Sequence, residues 1–457
     1  MKFYTNIQQY NNVIFERYIE DGVHKQREVP YQPTLYVPTV KQSPFKTIKG
    51  ERLEPRGFNS IKEARDFIQA RNKVSNDPVY GMQQFAYAYI QEQYPTREFD
   101  VNQLNILNFD IETRSDEGFP NIREADMEIL SIALRCNGQS YILGCGEYKT
   151  SGDDKYIKCV SEADLLHKFI DLWRELNPDI VTGWNVEMFD IPYTVNRIQR
   201  RLSTEAVNQL SPWGIVKDRL IPTAQTQAQG DNAEPNAKEI IGITVFDYMN
   251  LYKKFTYSQQ ESYALDYIGN AELGEKKLDY SEYGTLNDLY KNDYQKFLDY
   301  NIKDVVLVER LDDKMKLIEQ ACTIAYDAGV NLIDSMTSVR MWDVIIHNFL
   351  MEKQIIVPPK EFGEKENQVE GAYVKDPQVG MHNWVVSFDL NSLYPHLIMQ
   401  YNISPETYVR HIGQRPTADE IIAGLFNNEN IKEYMKKHNV SVCGSGAMYT
   451  KDFQGFL

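Results

Sequence analysis

Leu104-Asn105-Ile106-Leu107-Asn108-Phe109-Asp110-Ile111-Glu112 decides how this chain is read. Its apolar composition predicts a strand, and side chains alternate faces along an extended backbone. Asp110 and Glu112 therefore share one face, while Phe109 and Ile111 point to the other and can anchor the strand in a core. Two neighbouring carboxylates on one face repel, so their proximity calls for a cation. Oxygen-only ligands suit Mg²⁺ or Mn²⁺. Taken alone, the pair is better read as an exposed acidic strand edge.

Working outward, Glu128–Cys136 and Ser140–Gly144 read as two further strands. Ser161 starts a helix, with Asp164 at the third position and an apolar stripe of Leu165, Leu166, Phe169, Leu172, Trp173 and Leu176. Asn177-Pro178 ends it, and Asp179–Thr182 is the next strand. Strands alternating with helices predict an α/β layer domain over 104–313. Thr223–Lys238 has no apolar periodicity and reads as a mobile loop or hairpin tip.

Before this domain, residues 1–103 form a mixed α+β N-terminal segment. It has β-rich stretches at Asn12–Tyr18 and Thr34–Val37 and a helix at Ser60–Arg71 capped by Ser60 and Glu63. After it, Lys314–Lys353 is helical by pattern, and 314–360 is expected to pack back on the N-terminal segment. Val357-Pro358-Pro359 and Lys360–Gln368 mark a domain boundary. Residues 361–457 begin another α/β segment, with a strand at Trp384–Phe388 and a helix at Ser392–Gln400. The expected whole is an α/β multidomain chain.

The 457 residues exceed one hydrophobic core, and 42% hydrophobic with 25% charged residues describes a folded globular protein. No signal peptide opens it, and no apolar run is long enough to span a bilayer. Five cysteines without a C-x-x-C pair fit reduced thiols in a cytosolic compartment. The net charge of −16 does not exclude DNA as a partner, because metal-holding acids count in that sum and cationic tracks are local. Arg197, Arg200 and Arg201, and Lys432, Lys436 and Lys437, read as solvated helix faces.

Asp110 and Glu112 have company further on. Asp190 sits in Gly183-Trp184-Asn185-Val186-Glu187-Met188-Phe189-Asp190, at a strand-to-helix junction, and Glu187 there is a tempting extra ligand. Tyr300 and Asp304 are four apart, hence on one helix face. Each alone has a structural reading, Asp190 as a helix cap and Tyr300 as a packed aromatic. In this order they resemble the DEDDy pattern of RNase H-like 3′–5′ exonucleases. That resemblance implies two divalent ions bridged by Asp110. Glu112 and Asp304 would complete one site, Asp190 would act largely through water, and Tyr300 would orient the attacking water.

A second stretch, Asp389-Leu390-Asn391-Ser392-Leu393-Tyr394-Pro395, resembles the D-x-x-S-L-Y-P motif of family B DNA polymerases. Glu370-Gly371-Ala372-Tyr373-Val374 resembles their Y-x-G-G/A segment without its first aromatic. The resemblance runs along the whole chain and is strongest to replicative polymerases of T-even-like tailed phages. It implies that Asp389 and the Leu390 carbonyl hold two Mg²⁺ ions and the triphosphate once the polymerase site is complete. Ser392 and Leu393 would contact the nucleotide, and Tyr394 would stack under its sugar. Two further motifs, K-x3-N-x2-Y-G and a D-T-D hairpin, do not follow Asp389. Lys276–Gly284 mimics the first of them and reads as coincidence.

The expected function is thus the N-terminal part of a DNA-directed DNA polymerase for viral DNA replication in the cytoplasm of an infected bacterium. It would have an intact proofreading exonuclease and a partial palm. The expected partners are primer–template and single-stranded DNA, an incoming dNTP, a C-terminal polymerase half, and a sliding clamp with other replisome proteins, with no membrane. Two alternatives stand beside it: a dedicated exonuclease, or a nucleic-acid-binding translational repressor using the N-terminal domain.

Overall fold

The computed structural model describes residues 1–457 apart from 75–77, 117, 119, 151, 223–233, 360–373 and 412–428. The chain divides into two compact units. The first comprises Met1–Leu35, Arg56–Asn76 and Met82–Glu352, and the second Tyr36–Pro55, Asp77–Gly81 and Lys353–Leu457. Part of the segment read from sequence as N-terminal (36–55 and 77–81) thus belongs to the second unit.

The first unit is built on a six-stranded sheet. From edge to edge it runs Lys155–Lys158, Gln139–Gly144, Ile129–Cys136, Ile106–Thr113, Ile180–Gly183 and Thr244–Asp247. Ile106–Thr113 lies antiparallel to Ile129–Cys136 and parallel to Ile180–Gly183. It is therefore a central strand, covered on both faces. Leu107, Phe109 and Ile111 pack into one core with Phe169, Trp173 and Ile198, from the helices Glu162–Leu176 and Asp190–Arg201. On the opposite face lies the 22-residue helix Tyr294–Met315, whose Phe297, Leu298, Ile302 and Val305 form a second core with Leu130, Ala133 and Ile142. Asn108 ties strand to helix through the Val305 carbonyl at 2.7 Å. The alternation that buries Phe109 and Ile111 thus turns Asp110 and Glu112 toward this long helix.

Local chemistry sets the element ends. Ser161 accepts from the Asp164 N–H, Asn177 turns left-handed at the other end, and the helix between spans Glu162–Leu176 as its periodicity predicts. Ser60 accepts from the Glu63 N–H, and the Glu63 carboxylate reaches back to the Asn59 N–H. Gly183 is required where it stands, because a Cβ there would collide with the Phe109 carbonyl.

Three antiparallel strands, Lys2–Tyr10, Val13–Glu20 and Val23–Pro30, form a separate sheet within the same unit. Against its first strand sits the helix Leu317–Ala328. Tyr4 stacks on Tyr326 at 4.6 Å and donates to the Val330 carbonyl at 2.6 Å, and the Asn331 amide pairs with both backbone groups of Ile7. Strands Val216–Arg219 and Ala237–Ile240 pair as a hairpin, so the expected Thr223–Lys238 loop is in part a strand. Its tip lies outside the described residues.

One charge cluster differs from its sequence reading. Arg197 is only 4% exposed. It forks onto Glu162 with two 2.7 Å bonds and donates to the Ala125 and Asp126 carbonyls. A planar fork with all three nitrogens engaged belongs in the interior, where a lysine point charge would not. Lys432, Lys436 and Lys437 are exposed as expected.

In the second unit, strands Tyr408–His411, Ala447–Thr450 and Val440–Val442 form an antiparallel sheet, with Ala447–Thr450 central. The helix Leu393–Tyr401 matches its prediction. The strand expected at Trp384–Phe388 does not form, and Trp384 is 98% exposed. A strand needs a neighbour to satisfy its backbone, and none of the described residues pairs with this one. Residues 370–373 of the Glu370–Val374 segment lie outside the described residues. No described helix is long and apolar enough to cross a membrane, and all five cysteines are free thiols.

Candidate metal centre

Asp110 and Glu112 on the central strand meet Asp304 on the long helix. One carboxylate oxygen from each lies within 4.8 Å of the other two, the one such acidic group of possible metal ligands among the described residues. Asp304 is 3% exposed, and its Oδ1 is buried with no hydrogen-bond partner. Such an orphaned oxygen is costly in an apolar setting. An all-oxygen site of this kind fits a hard divalent cation.

Asp190 stands beside this triad rather than in it. It is the first residue of its helix, and its Oδ1 accepts from the Ile111 N–H at 3.1 Å, which anchors the helix start to the Asp110 strand. Tyr300, one turn before Asp304, is buried at the same place, with the Tyr280 ring edge-on at 5.3 Å. Glu187 pairs instead with Arg219 at 3.1 Å.

Sequence reasoning missed two residues. Lys277, set aside as part of a chance motif, donates to Asp304 Oδ2 at 2.6 Å and to the Tyr300 hydroxyl at 3.1 Å. The segment around it has no periodicity that could have placed it. Asn301 is fully buried and donates to Asp110 Oδ2 at 2.6 Å. Its signal was legible: it is a polar residue inside the apolar stripe Phe297, Leu298, Ile302, Val305.

Crowding is visible in the proton affinities. Burial, and then the charges of Asp190, Asp304 and Glu112, push Asp110 well above the usual carboxylate range. Burial and Asp304 push Glu112 up to about 8. Asp190 is raised to about 7 by burial, against the pull of the Ile111 N–H. Asp304 is raised by burial and drawn back by Lys277. Lys277 itself is lowered by burial but raised more by Asp304 and its neighbours.

Acids held above their unfolded values carry more protons folded than unfolded, so raising the pH favours unfolding. In EDTA the melting temperature is expected to fall between about pH 5 and about pH 8, where Asp190 and Glu112 titrate, and Mg²⁺ should flatten that slope. Thermal melts across this range check it, and a flat profile in EDTA would contradict it.

Asp389 belongs to the second unit. Asp389, Leu390, Ser392, Leu393 and Tyr394 are all exposed, and Ser392 adopts a left-handed conformation before its helix.

Two family descriptions match this chain: DNA polymerase family B, exonuclease domain, over residues 51–268, and DNA polymerase family B over 330–443. The whole chain is 31% identical to the DNA-directed DNA polymerase of Escherichia phage RB69 and 30% identical to that of Enterobacteria phage T4. The chain belongs to DNA polymerase family B. It spans 52% of the length of each of these two phage polymerases. Similarity extends to the DNA polymerase delta catalytic subunit of Caenorhabditis elegans, 27% identical over 68% of this chain and 30% of that one. The exonuclease match includes Asp110, Glu112 and Asp190, and the second match includes Asp389–Pro395. As a family B polymerase chain, it carries its partly buried acidic triad in the first unit, which holds most of the exonuclease match.

Proposed function

We propose that this chain carries a two-metal 3′–5′ exonuclease of the RNase H-like DEDDy type, acting on single-stranded DNA ends. The observation that carries this reading is the convergence of Asp110, Glu112 and Asp304 from elements nearly two hundred residues apart, with an orphaned Asp304 oxygen among them. The sheet supports it. Counted from Ile106–Thr113, the strand order is fourth-third-second-first-fifth-sixth with only the second antiparallel, and without the edge strand Lys155–Lys158 this is the order of an RNase H-like sheet.

Mg²⁺ or Mn²⁺ would be held by Asp110, Glu112 and Asp304, and such ions supply water activation, a clamp on the phosphate and charge relief on the leaving 3′-oxygen. The protein's own part is positional. Asp304 offers Oδ1 while Lys277 holds Oδ2. Asp190 is fixed by the Ile111 N–H through Oδ1 and would act on the ions largely through water. Lys277 donates into the Tyr300 oxygen, so the phenolic proton is left to orient the attacking water.

The Asp389–Pro395 segment would be the first metal-binding part of a palm, in which Asp389 and the Leu390 carbonyl would hold metal and triphosphate. Ser392, Leu393 and Tyr394 would line the nucleotide site. Nucleotidyl transfer would need a C-terminal portion carrying the remaining motifs. With dNTPs, Mg²⁺ and a labelled primer–template, the 457-residue chain is expected to shorten the primer and never extend it. Supplying the C-terminal portion of a related polymerase in trans should restore extension. Extension by the chain alone would overturn this reading of Asp389.

A further inference from the structure

Resting on the exonuclease reading above, we propose that Asn301 is a positioning residue that fixes the Asp110 carboxylate for metal binding. Asn301 sits between Tyr300 and Asp304 in sequence but faces the sheet, fully buried, on the side of the helix that packs against Ala133 and Leu130. Its Nδ2 donates to Asp110 Oδ2 at 2.6 Å, and its Oδ1 accepts from the Ser131 hydroxyl at 2.8 Å. Ser131 is fully buried on the neighbouring strand, directly across from Glu112.

This chain of two hydrogen bonds has a direction. The ionised Asp110 oxygen can only accept, so it takes the amide nitrogen and leaves the amide oxygen to the Ser131 hydroxyl, and the reverse orientation would set two acceptors against each other. One Asp110 oxygen is thereby pinned at a defined place beside Glu112 and Asp304. The donor is neutral. It supports the carboxylate in its charged form without adding positive charge that would repel an incoming cation, as a second lysine would. Lys277 and Asn301 thus divide the work: one offsets the charge of the triad, and the other sets the geometry of its central member. Hydrogen bonds that orient a ligating carboxylate commonly govern metal affinity, and losing one costs about 10- to 100-fold.

Mn²⁺ binding to the full chain, followed by the free-ion signal in electron paramagnetic resonance, tests this without relying on activity. Asn301→Ala is expected to weaken Mn²⁺ binding about 10- to 100-fold. Ser131→Ala, which leaves the amide on Asp110 but removes its second anchor, should weaken it by a smaller factor. In degradation assays Asn301→Ala should need more metal for half-maximal rate, recover at saturating metal, and keep the KM for single-stranded DNA. Should Asn301→Ala fail to fold, Ser131→Ala carries the test. Wild-type Mn²⁺ affinity in the folded variant tested would overturn the proposal, including where its melting temperature in EDTA falls, since that is the signature of a merely structural role. If wild type and Asp110→Ala bind Mn²⁺ equally, the exonuclease reading itself fails, which is a different result.

Discussion

Asp110→Ala combined with Glu112→Ala is expected to lower Mg²⁺-dependent degradation of single-stranded DNA about 1,000-fold or more, which corresponds to roughly 4 kcal/mol of lost barrier reduction. The two side chains supply two of the three carboxylates that lie within 4.8 Å of one another. Asp304 and Asp190 alone leave too few oxygens to hold a pair of ions. The same variant should melt higher than wild type in EDTA at neutral pH, because burial and mutual repulsion raise both acids in the metal-free protein. Opposite signs in the two measurements separate a functional site from a structural one. A variant that degrades DNA at the wild-type rate would place the chemistry elsewhere.

Lys277→Met has the second large effect. Its side chain is 27% exposed, and its ammonium bonds the carboxylate of a side chain that is 3% exposed. Removing one partner of a fully buried pair costs about 3–5 kcal/mol, and the partial access of water to Lys277 reduces this to about 2 kcal/mol. The loss should be largest near pH 8 in EDTA, where the neighbouring acids are ionised and the cation matters most. Mg²⁺ should restore much of the stability, since it replaces the missing positive charge. Degradation should fall as well, because Tyr300 loses the donor that fixes its hydroxyl. Equal melting temperatures for wild type and Lys277→Met in EDTA at pH 8 would show that the pair does not offset the acidic charge.

What the sequence made legible was local in origin. Alternation along Ile106–Thr113 put Asp110 and Glu112 on one face, and four-residue spacing put Tyr300 and Asp304 on another. Ser161, Asp164 and Asn177 marked both ends of their helix through bonds to near neighbours. Lys277 was missed, and Arg197 and the strand at Trp384–Phe388 were misread, for the converse reason. Lys277 meets Asp304 from 27 residues away, and Arg197 meets Glu162 from 35, so neither partner is implied by spacing. Trp384–Phe388 has strand composition, but composition supplies no neighbour to pair with. Asn301 lies between these cases. Its place in an apolar stripe announced a buried polar group, and only the fold revealed that the group it serves is Asp110.

The polarity of degradation tests the central claim most directly. A single-stranded DNA labelled at its 5′ end, incubated with the purified chain and Mg²⁺, should give a ladder of progressively shorter labelled strands and unlabelled mononucleotides, and EDTA should stop it. Immediate release of a labelled mononucleotide, internal cuts, or an intact strand would contradict a 3′–5′ exonuclease at Asp110, Glu112 and Asp304.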